Sequence, residues 1–302
     1  MVRARLRGTN LALFHKRLKK GRMTNNIYNF KILESKKLIH GVSSKFFGSI
    51  KNNGIINKKN LKRFLDAMQV DIESVVFPEQ VHGSRAVVIP TIVEGSQTTS
   101  SGERDSSTEP VLSAAEGLGM TGGAKLAYIL NADGLITNKK NVFLCIVTAD
   151  CLPVIFYDEK MGIVGIAHVG YKGILKGILK NMVLGFKKMR SDTKDILVGI
   201  GPAIGVCCYD VSYERIKMFD NLLNADGDSG QARMTNLYQL RKGKYFLDLK
   251  NIAKQIFISE GILEKNIEVS DICTKDNIKE FFSFRGEGPK NFGEFATIVG
   301  RI

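Results

Sequence analysis

Three apolar runs, Phe143 to Thr148, Leu152 to Tyr157 and Gly162 to His168, follow one another with connections of only three and four residues. Each is too short for a helix and none alternates polar with apolar side chains, the pattern of strands buried on both faces. Such strands need covering layers. Shorter β-rich runs at Ser74 to Phe77, Ala86 to Ile89 and Ile196 to Ile200, and a last one from Ala296, can extend the sheet. Helical spacing accounts for the layers: Leu61, Phe64, Leu65 and Met68 after an Asn57 cap, Leu175, Leu179, Met182 and Phe186 from Lys172 onward, and Leu249 to Phe257 between Asp248 and Gly261. Strands and helices intersperse without a regular βαβ repeat, so the expected class is α/β (α+β), a mixed β-sheet layered with helices.

With 302 residues, 44% of them hydrophobic, the chain can form one large domain. Its net charge of +14 suggests nucleic acid until it is located: residues 1–33 hold nine Lys or Arg and no acid, leaving +5 for the rest. That leader reads as a disordered basic tail or as a start site assigned too early, with translation beginning at Met23; a transit peptide and a nucleic-acid arm are the other options. Residues 34–302 are expected to form a single catalytic domain. Within them, 94–125 is poor in apolar residues and rich in Gly, Ser, Thr and Glu, as in a flexible insertion. No run reaches the roughly 18 apolar residues that span a membrane, and five unevenly spaced cysteines do not make a disulfide framework, so a cytoplasmic protein is expected.

Four histidines are present. His15 lies in the leader and His40 near a strand, whereas His82 sits on a connection between strands and His168 where a strand ends. Together with Cys151 they offer two imidazoles and a thiolate, a set that Zn²⁺ accepts with a fourth position left for water. Taken singly, Cys151 reads as an inert buried thiol, His168 as a structural histidine and Asp150 as a turn cap. The functional reading gains from the glycines around His168, in His168-Val169-Gly170-Tyr171-Lys172-Gly173, which let a backbone approach a ligand.

Several words of the chain carry a resemblance: Glu79-Gln80-Val81-His82-Gly83, Asn131-Ala132-Asp133-Gly134, Thr148-Ala149-Asp150-Cys151-Leu152-Pro153, Ala167-His168-Val169-Gly170, Gly201-Pro202 with Cys207-Cys208-Tyr209, Cys273-Thr274, and Phe282-Ser283-Phe284-Arg285. In that order they resemble the multicopper polyphenol oxidase-like, or laccase domain, family, which includes bacterial peptidoglycan editing factor and purine nucleoside phosphorylase-type enzymes. The resemblance implies zinc on His82, Cys151 and His168, with Cu²⁺ as a possible substitute. It implies phosphorolysis of adenosine, inosine, guanosine and methylthioadenosine, and deamination of adenosine. Purine nucleosides and phosphate are then the partners, with neither membrane nor nucleic acid involved.

Cys151, His168 and Asp150 are the expected catalytic residues, with Asp133 a further candidate for moving protons. Arg285, Lys172 and Lys45 are the expected substrate contacts. Lysine stands at 172 and 45 where the family carries arginine, exchanging a planar two-pronged donor for a point charge; Phe292-Gly293-Glu294 stands where a Thr-Gly-Arg word is typical. The rival reading is a metal-free cysteine hydrolase or deamidase with Cys151 as nucleophile and His168 as base. A multicopper oxidase is disfavoured, because one His₂Cys centre leaves only His15 and His40 for further coppers.

Overall fold

The computed structural model describes residues 21–89, 126–224 and 237–302. Thirteen strands build its two large sheets. In chain order they are β1 (Arg22–Thr24), β2 (Ile27–Asn29), β3 (Leu38–Ser43), β4 (Val75–Pro78), β5 (Ala86–Ile89), β6 (Ala127–Ile129) and β7 (Gly134–Thr137). There follow β8 (Phe143–Thr148), β9 (Leu152–Asp158), β10 (Ile163–Val169), β11 (Leu197–Ile200), β12 (Ile267–Val269) and β13 (Phe295–Arg301). One sheet runs β1-β2-β3-β13-β8-β4-β6 and the other β12-β11-β9-β10-β7-β5. Both are mixed: β8 pairs antiparallel with β13 and parallel with β4, while β11 pairs antiparallel with β9 and parallel with β12.

Side chains alternate between the two faces of a strand and both faces are covered here, which explains why these runs are apolar until their ends at Thr148, Asp158 and His168. Leu144 and Ile146 of β8 join Ile155 and Tyr157 of β9 and Val164 and Ile166 of β10 in the core between the sheets. Cys145 and Val147 point the other way, onto Leu61, Phe64 and Leu65 of α1 (Lys58–Met68). Val154 and Phe156 pack with Met182 and Phe186 of α3 (Ile178–Lys188), preceded by the short α2 (Tyr171–Leu175), and with Ile252 and Phe257 of a helix over Leu249–Ser259. The layers are therefore helix, sheet, sheet, helix. Burying a side chain such as Phe156, fully enclosed here, contributes roughly 1.5–3 kcal/mol.

Caps fall where the sequence places them: Asn57 accepts the Asn60 amide and Asp248 that of Asn251. The helix expected from Lys172 is two helices, because Gly177 turns the chain at φ +91° between α2 and α3.

The leader boundary needs correction. β1 and β2 form a hairpin that pairs with β3, and Tyr28, Phe30 and Leu33 are buried. Ile32 N–H donates to Glu268 Oε2 at 2.7 Å. Residues 22–33 thus belong to the folded domain. The first 20 residues and the insertion at 94–125 lie outside the described residues.

His40 is buried, with Nε2 3.1 Å from the amide nitrogen and 3.2 Å from the carbonyl oxygen of Phe30. Burial disfavours its charged form and lowers its pKa to about 4, against 6.5 for the free side chain, although the contact with the Phe30 backbone works in the opposite direction. Between those values the unfolded chain binds a proton that the folded chain does not, so stability present above pH 6.5 is lost as pH falls towards 4. The loss amounts to on the order of 3 kcal/mol. Melting curves between pH 7 and 4.5 should show this decline, and His40→Asn should flatten it; equal slopes would exclude His40 as its source.

Candidate functional site

Two segments cross from one sheet to the other at the same end of the sandwich. One links β4 to β5 and carries His82; the other, Ala149 to Cys151, links β8 to β9. β10 ends beside them, with His168 opposite Pro153 in register. His82, Cys151 and His168 consequently meet, with one potential ligand atom from each lying within 4.8 Å of the others. The two imidazoles are perpendicular, their centroids 4.7 Å apart.

Backbone details make the approach possible. His82 (φ +55°) and Asp150 (φ +80°) adopt left-handed conformations that turn each crossing sharply. Gly170 caps α2, and a Cβ there would lie 3.0 Å from Cys151 Sγ and 3.4 Å from His82 Cδ2. Gln80 clamps the His82 segment to β8: its Nε2 donates to Val147 O at 2.8 Å and its Oε1 accepts Val147 N–H at 3.0 Å.

Asp133 organises the centre. Fully buried, its Oδ1 lies 2.8 Å from His168 Nδ1 and accepts the His82 amide at 3.0 Å. Its Oδ2 accepts the amides of Gly83 at 2.7 Å and Val81 at 3.2 Å. Burial opposes ionisation of Asp133, yet the hydrogen bonds from His168 and these amides hold its carboxyl below the usual range. With Nδ1 so engaged, His168 presents Nε2 to the cluster, the orientation that a carboxylate imposes on a metal-bound imidazole. Burial opposes charge on Cys151 and His168 too, but their mutual attraction dominates, lowering the thiol and raising the imidazole, and Asp133 adds to the latter.

Two imidazole nitrogens and a readily formed thiolate suit Zn²⁺ with one position open, and also match the His₂Cys set of copper. Among the described residues, the remaining histidine, His40, is engaged by the Phe30 backbone and belongs to no cluster of potential ligands, so a single-ion centre fits these residues better than a multi-ion one.

The cluster opens into a cavity of about 430 Å³, within the range of small-molecule sites. Tyr171, Tyr209, Phe284 and Phe292 give it aromatic walls, and Lys51, Arg215 and Arg285 give it cations. Arg215 stacks on Tyr171 at 4.1 Å, while Arg285 Nη1 lies 3.3 Å from Asp210 Oδ1. A hollow of about 470 Å³ near His40 gathers no comparable set of reactive groups.

Three expectations change here. Lys172 is exposed and Lys45 is paired with Glu287 at 2.6 Å, and neither lines the cavity; Lys51 and Arg215 stand there with Arg285. Asp150 reaches the wall, but Oδ1 accepts the Thr274 hydroxyl at 2.6 Å and Oδ2 the Arg285 amide at 2.7 Å, so it ties two loops together and is poorly placed to move protons. Asp133 orients His168 instead of facing substrate. Glu294, visible in the sequence only as a departure from a family word, is the other carboxylate on the wall. Its oxygens accept no hydrogen bond among the described residues, and burial raises its pKa, with Lys51 and the two histidines opposing.

A family model described as multi-copper polyphenol oxidoreductase laccase matches residues 51–302. Purine nucleoside phosphorylase YlmD of Bacillus subtilis is 30% identical over 267 residues, covering 86% of this chain and 84% of that protein. Its namesake in Geobacillus stearothermophilus is 28% identical over 243 residues, 80% of this chain and 77% of that one. Among solved structures, hypothetical protein YfiH of Bacillus licheniformis is similar with a TM-score of 0.73 and 28% identity, covering 93% of this chain and 98% of that one.

Proposed function

The chain belongs to the multi-copper polyphenol oxidoreductase laccase family, and from that premise we propose that it is a purine nucleoside phosphorylase with a Zn²⁺ centre on His82, Cys151 and His168. The observation that carries this reading is the convergence of those three residues at one end of a cavity with aromatic walls and three cations. Zinc held there supplies Lewis-acid activation of an oxygen. Tyr171, Tyr209, Phe284 and Phe292 offer faces for a purine ring. Arg285, Arg215 and Lys51 balance the charge of phosphate as it attacks C1′ of the sugar. Glu294, whose carboxyl has no hydrogen-bond partner among the described residues, gives a proton to N7 of the departing base. Adenosine, inosine, guanosine and methylthioadenosine are the proposed substrates. Deamination of adenosine at the same cavity is part of the reading, with Glu294 again the proton carrier.

Incubating the zinc-loaded protein with adenosine, with and without phosphate, tests this. Adenine and ribose 1-phosphate are expected only with phosphate present, and inosine with or without it. Glu294→Gln should lower kcat about 100-fold with KM little changed. Unaltered adenosine under both conditions would overturn the proposal.

A second reading has an observation in its favour: Cys151, His168 and Asp133 lie in the order nucleophile, base and orienting carboxylate. As a metal-free cysteine hydrolase or deamidase, the protein would be alkylated at Cys151 by a substrate-like electrophile. Near-stoichiometric zinc that protects Cys151 from alkylation favours the first reading.

A further inference from the structure

A second group of soft ligands lies in the loops following β11 and β12. Cys207, Cys208, Cys273 and Asp276 each place one potential ligand atom within 4.8 Å of the other three. Cys207 and Cys208 stand on a tight turn in which the amides of Cys208 and Tyr209 both donate to Gly205 O. Cys273 and Asp276 have the C-x₂ spacing common in zinc knuckles. With Zn–S bonds of about 2.3 Å, a tetrahedral site separates its sulfurs by about 3.8 Å, so small side-chain rotations complete one here.

Several features support more than a chance cluster of thiols. The Gly205 N–H points at Cys273 Sγ at 3.2 Å, an amide-to-sulfur bond of the kind that orients a thiolate ligand. A Cβ on Gly205 would lie 3.1 Å from both Cys207 Sγ and Cys273 Cβ, so a larger residue there would press on both segments. Cys208 Sγ already contacts Asp276 Oδ1 at 2.9 Å. Three thiols and a carboxylate select a borderline-soft ion over Mg²⁺ or Ca²⁺.

We propose that Cys207, Cys208, Cys273 and Asp276 form a closed, four-ligand Zn²⁺ site that staples the loop after β11 to the loop after β12. Its role is structural, since no position remains for substrate. It braces the cavity: Tyr209, next to Cys208, is part of the aromatic wall, and Thr274, next to Cys273, bonds Asp150 beside Cys151. The proposal is independent of the nucleoside reading, because it concerns other residues and is measured without turnover.

The test counts zinc per chain in full-length protein purified under reducing, anaerobic conditions, by native mass spectrometry. Wild type should carry two equivalents, Cys151→Ser one, and Cys151→Ser with Cys207→Ser none. If the double variant fails to fold, the exposed Asp276 offers a milder change: in the Cys151→Ser background, Asp276→Ala should weaken zinc affinity by more than about 100-fold and abolish the rise in Tm on adding Zn²⁺. Co²⁺ bound to Cys151→Ser should show the intense near-ultraviolet charge-transfer absorption of three thiolates. Zinc-free Cys151→Ser protein, retention of its zinc after Cys207→Ser or Asp276→Ala, or a disulfide among these cysteines in fresh protein would each overturn the site.

Discussion

Cys151→Ala should strip the catalytic ion and reduce nucleoside turnover at least about 1,000-fold, while leaving the fold in place. Lewis-acid activation is worth several kcal/mol, and each 1.4 kcal/mol is about tenfold in rate. The thiol is the anionic member of the proposed three-ligand set. Without it His82 and His168 remain, and His82 is exposed on a turn. The substitution itself removes one atom from a partly buried position, a small change against the packing of the sandwich. Cys145 is the control. It is buried on β8 and faces α1, and burial holds its thiol well above the usual range, so Cys145→Ala should retain both zinc and turnover. Metal content, turnover and circular dichroism of the two variants decide the matter, and full activity in zinc-depleted Cys151→Ala would end the metal reading.

Asp133→Asn should weaken zinc binding about 10–100-fold and lower Tm by about 5 °C. The carboxylate accepts four hydrogen bonds with two oxygens, from His168 Nδ1 and the amides of Val81, His82 and Gly83. An asparagine supplies one acceptor and turns an NH₂ group against N–H donors on the other side. Disrupting a buried network of this sort costs about 3 kcal/mol, or roughly 5 °C at this chain length. Loss of the carboxylate also frees the His168 ring and the His82 turn, which is how a positioning residue governs metal affinity. Chelator competition and thermal melts measure the two effects separately. A variant that melts as wild type does and holds zinc as tightly would deny Asp133 this role.

Glu294 illustrates how a departure from a family pattern acquires meaning only in three dimensions. In the sequence it is a missing arginine. In the folded chain it is a carboxylate on the cavity wall, facing the two histidines and Lys51, with no hydrogen-bond partner among the described residues. The basic groups shift in the same way. Lys45, expected at the substrate, is committed to Glu287, 242 residues away in sequence, and Lys51 takes up a place on the wall.

By itself the sequence determined the buried strands, the capped helices and the choice of His82, Cys151 and His168, which the fold brings together. A run such as Leu152 to Tyr157 states locally that both its faces are covered, and a cap needs only the next three residues. Helix α2 parted from α3 because one glycine with positive φ outweighed an apolar stripe. The tertiary structure decided everything that depends on direction. Asp150 and Cys151 are neighbours in the chain, yet a left-handed turn sends one to Thr274 and the other to His168. Asp133 gained its role from amides some fifty positions earlier in the chain, and Arg215 from stacking on Tyr171. Periodicity records which side of an element is covered, because that depends on neighbours in sequence. Which distant groups share one end of a sandwich depends on strand register and on loops crossing between sheets, and these are fixed only when the layers pack.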